Sequence, residues 1–166
     1  MRDHIQGRAL KYGDNINTDI ISPPAGMELS IKEAARYAMS PVDPDFATTC
    51  RPGDILVAGR NLGSGSSRET APLLLYELGI RVVVAMSFAR IFYRNCINLG
   101  ILALECEQTD RIAMLDELEI DYANGVIRDR TNSEVVACQP VPHHMMPLIE
   151  AGGLVAYLQS KREKVH

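Results

Sequence analysis

The sequence predicts an α/β domain: a parallel β core with flanking helices, followed by an antiparallel hairpin. Three observations carry this. Over about fifty residues from "DILVAG" to "ILALE", short apolar runs alternate with helix-patterned runs, giving strand–helix–strand–helix–strand. Gly79 and Gly100 close the two helical runs as stop signals. Asn124-Gly125 lies between two alternating segments, a hairpin-turn signal. The 166 residues suffice for one domain with a real core, so 1–166 is expected to be a single domain.

Taken in order, "IQGRALKYG" alternates loosely and reads as a first strand. "DNINTDIISPP", rich in Asp, Asn and Pro, reads as a loop. "SIKEAARYAM" has helical spacing, with Ser30 as an N-cap and Glu33 completing a capping-box pattern. "SPVDPDFATTCRPGD" is proline-rich and reads as a second loop. "DILVAG" is a buried strand, "RETAPLLLYELG" a helix and "IRVVVAMS" a β-branched strand. "FARIFYRNCINLG" is a helix and "ILALE" a strand. "TDRIAMLDEL" is expected to be helical, and "EIDYANGVIRDRTNSEVVAC" to form the hairpin. "PHHMMPLIEAGGLVAYLQSKR" is expected to be helical with a break near Gly152-Gly153.

Composition narrows the function. The chain is 46% apolar and 23% charged, with a formal net charge of −4. It has no basic excess with which to displace counterions, which argues against nucleic-acid binding. No apolar run approaches the roughly 18 residues that a membrane helix needs. The start, "MRDHIQGR", is charged and lacks a signal peptide's apolar core, so a cytoplasmic location is expected. Cys50, Cys96, Cys106 and Cys138 form no CxxC pair and are expected to be buried reduced thiols. Their spacing gives no support for an iron–sulfur cluster held by this chain alone.

The densest chemistry lies in "NLGSGSSRET", residues 61–70, at the carboxyl end of a strand, where open α/β sheets bind ligands. Gly63 and Gly65 allow positive φ and close approach of a ligand. Ser66, Ser67 and the amides opening the next helix would face an anion, and Arg68 can grip a carboxylate with two hydrogen bonds. The stretch is not a Walker loop, because it has no lysine. Arg68 breaks the GxGxxG pattern, and no serine sits in GxSxG. A bare helix N-cap turn and a carboxylate or phosphate site both remain open on these residues alone.

The stretch has company. "GSGSSRET", then "SFARIFYRNCINLGILAL", and the earlier "YGDNINTDIISP" arrive in an order and spacing that resemble the small subunits of the aconitase superfamily's split hydro-lyases. These include 3-isopropylmalate dehydratase and homoaconitase. The similarity covers about residues 6–106, leaving a C-terminal part of about 107–166. It implies an aconitase-swivel-like β/β/α domain and a large-subunit partner carrying a 4Fe–4S cluster, in a heterodimer or heterotetramer. The implied reaction removes water from a hydroxy-acid and returns it at the neighbouring carbon. It requires a base for a carbon-bound proton and cations for carboxylates.

Carried over residue by residue, the resemblance makes Ser66 the base. Ser67 and Arg68, with Gly65 and Thr18, bind the substrate carboxylate, and Thr18 also caps its turn. Asp19 pairs with or orients these groups; on residue type alone it could equally be an Asx-turn residue. Arg90 reads as a second anion contact or, preferably, as an arginine tied structurally at a helix start. Arg94, His143 and His144 read as surface or interface residues. An ungapped alignment places Met27 where homoaconitase-like chains carry an arginine for an extra carboxylate. Met27 and Leu29 suit an alkyl group instead, because a buried unpaired carboxylate is costly; Glu28 is expected to face solvent. The favoured function is therefore the small subunit of 3-isopropylmalate dehydratase in leucine biosynthesis. The alternatives are a dimethylmalate, citramalate or homoaconitase-type relative, or a non-catalytic anion-binding regulatory module.

Overall fold

The computed structural model describes residues 4–66 and 69–164. Strands β1 (His4–Lys11), β2 (Ile55–Ala58), β3 (Val82–Ala85) and β4 (Leu102–Glu105) run parallel, with Ala9 beside Ile55, Ile55 beside Val82 and Val82 beside Leu102. Strands β5 (Glu117–Asp121), β6 (Val126–Asp129) and β7 (Glu134–Ala137) continue from the other edge of β1, antiparallel. The order is β4-β3-β2-β1-β5-β6-β7, so β1 is the seam where the parallel and antiparallel halves meet. The hairpin expected at Asn124-Gly125 joins β5 to β6, and the Asn124 side chain donates to Asp121 at 2.8 Å.

The helices are α1 (Thr18–Ile21), α2 (Ile31–Ala34), α3 (Phe46–Thr49), α4 (Thr70–Glu77), α5 (Arg90–Leu99), α6 (Met146–Ala151) and α7 (Leu154–Lys164). Gly79 and Gly100 follow α4 and α5 in the left-handed conformation, as expected of stop signals. Ser30 caps α2 through the Glu33 amide, but that helix passes into a 3-10 turn at Ala35–Tyr37. The break at Gly152-Gly153 separates α6 from α7. The two segments expected to be loops, "DNINTDIISPP" and "SPVDPDFATTCRPGD", each contain a four-residue helix, α1 and α3.

Strand alternation divides the apolar residues into two cores. Leu10, Leu56, Ala58, Val83 and Ala85 face one way and pack with Ile21, Phe46, Leu74, Leu75, Phe92 and Cys96 from the helices and loops. Ala9, Ile55, Val57, Val82 and Val84 face the other way and pack with Leu118, Ile120, Ile127 and Val136. The antiparallel half therefore supplies the second cover of the parallel half, which explains why β2 and β3 are apolar at every position. Each fully buried Leu or Ile contributes roughly 1.5–3 kcal/mol.

The expected helix in "TDRIAMLDEL" does not form. Only Thr109–Arg111 turns, as a 3-10 segment, before β5 begins. The Lys11 ammonium takes the carbonyls of Thr109 and Ile112, Asp116 accepts from the Ala113 amide, and Leu115 is left-handed. These bonds replace those a helix would use.

Asp116 and Asp129 are both buried close together. Asp129 Oδ1 accepts from the amides of Thr131 and Asn132, Oδ2 has no hydrogen-bond partner among the described residues, and the Asp116 carboxyl lies beside the group. Burial first, and the facing carboxyl second, push Asp129 up to about 6. Its stabilising contribution is thus full below about pH 4, the unfolded value, and is lost as pH rises through about 6. Asp129→Asn keeps the backbone bonds and donates to Asp116. At pH 7.5 the variant is expected to be more stable than the parent by about 1–3 kcal/mol. In urea titrations the gap should close as pH falls toward 4.

Candidate active site

Three loops leave the carboxyl ends of β1, β2 and β3 and are stitched together by their backbones. The Gly59 amide donates to Gly13, Asn15 to Arg60, Gly63 to Ile16 and Thr18 to Ser64, each within 2.8–3.0 Å. Asp14 adds a side-chain bond from the Arg60 amide at 2.7 Å. The third loop joins through Leu62, whose amide donates to Ser87 at 3.0 Å and whose carbonyl accepts from Ala89 at 2.9 Å. Ile16, Leu62 and Phe92 anchor the assembly in the first core.

Two glycines make the fit possible. Gly63 has φ +83°, and a Cβ there would lie 2.1 Å from the Phe92 ring. Gly65 has φ +105°, and its Cβ would lie 3.1 Å from Thr18 Oγ1. The result is a cavity of about 190 Å³ lined by Thr18, Gly65, Ser66, Arg90, Ile91 and Asn95, among others. Ser66 is exposed on one side and its Oγ lies 3.3 Å from Thr18 Oγ1, which is buried.

The loop geometry changes the expected role of Thr18. Asn17, not Thr18, caps α1, its Oδ1 accepting from the Ile20 amide at 2.9 Å. Asp19 is exposed in the first turn of α1, next to Thr18 in the chain. Arg90 was expected to be tied structurally at a helix start. It does open α5, yet it is exposed and forms no hydrogen bond or ion pair among the described residues. It lines the Ser66 cavity and also a neighbouring one of about 380 Å³ with Tyr93, Glu105 and Gln139. Ser67 and Arg68 lie outside the described residues. Met27 is 59% and Leu29 37% exposed, on the loop between α1 and α2, and Glu28 is exposed beside them.

Ile91, Phe92 and Asn95 were not anticipated as cavity walls. The available signal was spacing: Ile91 and Asn95 are four apart on α5 and share a face just after "SFAR". Arg94, His143 and His144 are exposed, as expected.

The thiols do not suit a metal cluster. Cys96, Cys106 and Cys138 are buried, Cys50 partly so, and all are free. Burial raises every one of them, Cys50 to about 11 and Cys138 to about 12, against the thiolate form a metal needs. Among the described residues no group of three or more His, Cys, Asp or Glu is placed to hold a metal ion. No described helix is long and apolar enough to cross a membrane.

The family described as the aconitase C-terminal domain matches residues 15–109, which include the stitched loops apart from Gly13 and Asp14. The chain belongs to the aconitase C-terminal domain family. It is 45% identical to 3-isopropylmalate dehydratase small subunit 1 of Archaeoglobus fulgidus over 95% of this chain and 99% of that one. It is 46% identical to the isopropylmalate/citramalate isomerase small subunit of Methanocaldococcus jannaschii, over 97% of both. The crystal structure of a 3-isopropylmalate dehydratase from Methanocaldococcus jannaschii superposes with a TM-score of 0.90 at 38% identity, covering 96% of this chain and 95% of that one. The swivel-type fold expected from the motifs is the fold of this family member.

Gly63→Ala is expected to destabilise the chain by about 2–4 kcal/mol, from the left-handed backbone and the collision with Phe92. Gly13→Ala, where a Cβ meets nothing within 4 Å, should stay within about 0.5 kcal/mol of the parent. Urea midpoints of the two variants provide the comparison.

Proposed function

We propose that this chain is the small subunit of a two-subunit hydro-lyase that interconverts 2- and 3-isopropylmalate by dehydration and rehydration. The observation that carries the reading is the meeting of Ser66, Thr18 and Arg90 in one cavity, in a family member that aligns along nearly its whole length with small subunits so named. Ser66 takes the carbon-bound proton. Ser67 and Arg68 hold a carboxylate, Gly65 lets the ligand approach the backbone, and Arg90 offers a second positive contact. Asp19 orients this group from the first turn of α1.

The chain's own thiols do not fit a cluster, so a large-subunit partner is assigned the 4Fe–4S centre; in such a pair it supplies the Lewis acid. Everything else follows from the residues here. Ser66 is exposed on one side, and Met27 and Leu29 are open apolar side chains on the adjoining sequence motif. Both support a site completed by another protein surface, with Met27 and Leu29 meeting the substrate's alkyl group. A second reading, citramalate as an additional substrate, is supported by the relative named isopropylmalate/citramalate isomerase small subunit.

Mixing the purified chain with a cluster-loaded large subunit tests this, with each chain alone and both substrates assayed. Turnover is expected only in the mixture, and Ser66→Ala should lower kcat by about 10²–10⁴-fold without preventing complex formation. Full turnover by that variant would remove Ser66 from the mechanism. Met27→Arg is expected to raise kcat/KM for a tricarboxylic hydroxy-acid relative to isopropylmalate, by about tenfold or more. An unchanged ratio would exclude Met27 from substrate selection.

A further inference from the structure

Thr18 carries a hydroxyl that the proposed reaction has not yet used. It is 2% exposed, and its Oγ1 has one hydrogen-bond partner among the described residues, Ser66 Oγ at 3.3 Å. The rest of Thr18 is fixed. Its amide donates to Ser64 at 2.8 Å, its carbonyl accepts from the Ser22 amide at 2.8 Å, and Asn17 caps the turn it opens. Gly65 packs close against this hydroxyl, since a Cβ there would sit 3.1 Å from Oγ1. The hydroxyl is thus held beside Ser66 by a backbone bond to the neighbouring loop and by the capped turn of α1.

We infer that Thr18 is a positioning residue that donates its proton to Ser66 Oγ and stabilises it in the anionic form, rather than a contact to the substrate carboxylate. The inference rests on the assignment of Ser66 as base. With both hydroxyls neutral, either can donate. Once Ser66 is ionised it can only accept, and Thr18 is the buried neutral donor already in place. A neutral-to-anion hydrogen bond is shorter and roughly twice as strong as a neutral one, so the 3.3 Å contact tightens on ionisation. When the substrate C–H bond breaks, the proton goes to Ser66 Oγ, the electron pair stays on the substrate carbon, and Thr18 keeps its own proton throughout. Thr18 is then a single preorganised donor of the oxyanion-hole kind, aimed at the enzyme's own oxygen.

Thr18→Val preserves shape and removes the donor; Thr18→Ser preserves the donor and removes a methyl group. Both are to be assayed with the large subunit across pH. For Thr18→Val, kcat is expected to fall about 10–100-fold with KM changed less than about threefold, and the rising limb of the rate profile to move to higher pH. Thr18→Ser is expected to recover most of the loss, and Thr18→Val should cost nothing further when added to Ser66→Ala. A rise in KM alone would make Thr18 a substrate contact and overturn the inference. So would equal impairment of the Ser and Val variants, or an unshifted pH limb. If Thr18→Val does not fold, judged by its melting curve, Thr18→Ala gives the same comparison with Thr18→Ser. Full activity of Ser66→Ala would instead defeat the underlying assignment, and does so independently of any Thr18 result.

Discussion

The site depends on the backbone pairing of two loops, through the Gly63 amide to Ile16 and the Thr18 amide to Ser64. Strands β1 and β2 are parallel neighbours, and the segments that follow them go on pairing beyond the sheet. The pairing brings a threonine from one sequence motif against a serine from another, nearly fifty positions apart in the chain. Each such bond is worth only about 1 kcal/mol net. Their effect here is geometric: they leave the loops few alternative positions, and buried Ile16, Leu62 and Phe92 hold both ends in the core. Glycine at 63 is the condition for this arrangement, because Phe92 occupies the space of any side chain.

The parallel core was legible because its signals are local. "VVVA" and "ILVA" are buried on both faces of the sheet, so every position is apolar, and the helices between them end in left-handed glycines. The segment 107–116 was not legible for the opposite reason. Its carbonyls are taken by Lys11, nearly a hundred residues earlier, and nothing within the segment announces that partner. Helices α1 and α3 have four residues each, too few to show a period. At the site, the motifs that carry the family resemblance pointed to Thr18, Gly65 and Ser66, and the three line one cavity. The contribution of Ile91 and Asn95 emerges only when α5 is packed behind the serine. The pairing of Thr18 with Ser66 could not be seen in sequence, because it is set by loops that are distant in the chain.

Reading the turn at 61–70 as an anion site assumed that the helix after it, α4, provides the positive end. The folded chain adds a second candidate, α5. The residue preceding α4 is Glu69, whose negative charge lies at that helix's N-terminus and offsets its dipole. Helix α5 has no acidic residue in its first turn, and Ala89 before it offers no side-chain cap. Its first amides therefore remain available, and Arg90 stands with them in the cavity wall. If Ser66 is the base proposed above, the start of the helix following β3 is a second positive element beside it, with the glycine–serine turn presenting the oxygen. On that proposal the arrangement separates two tasks: one loop presents Ser66, and a second element, held against it through Leu62, brings Arg90 and the start of α5 to the same cavity.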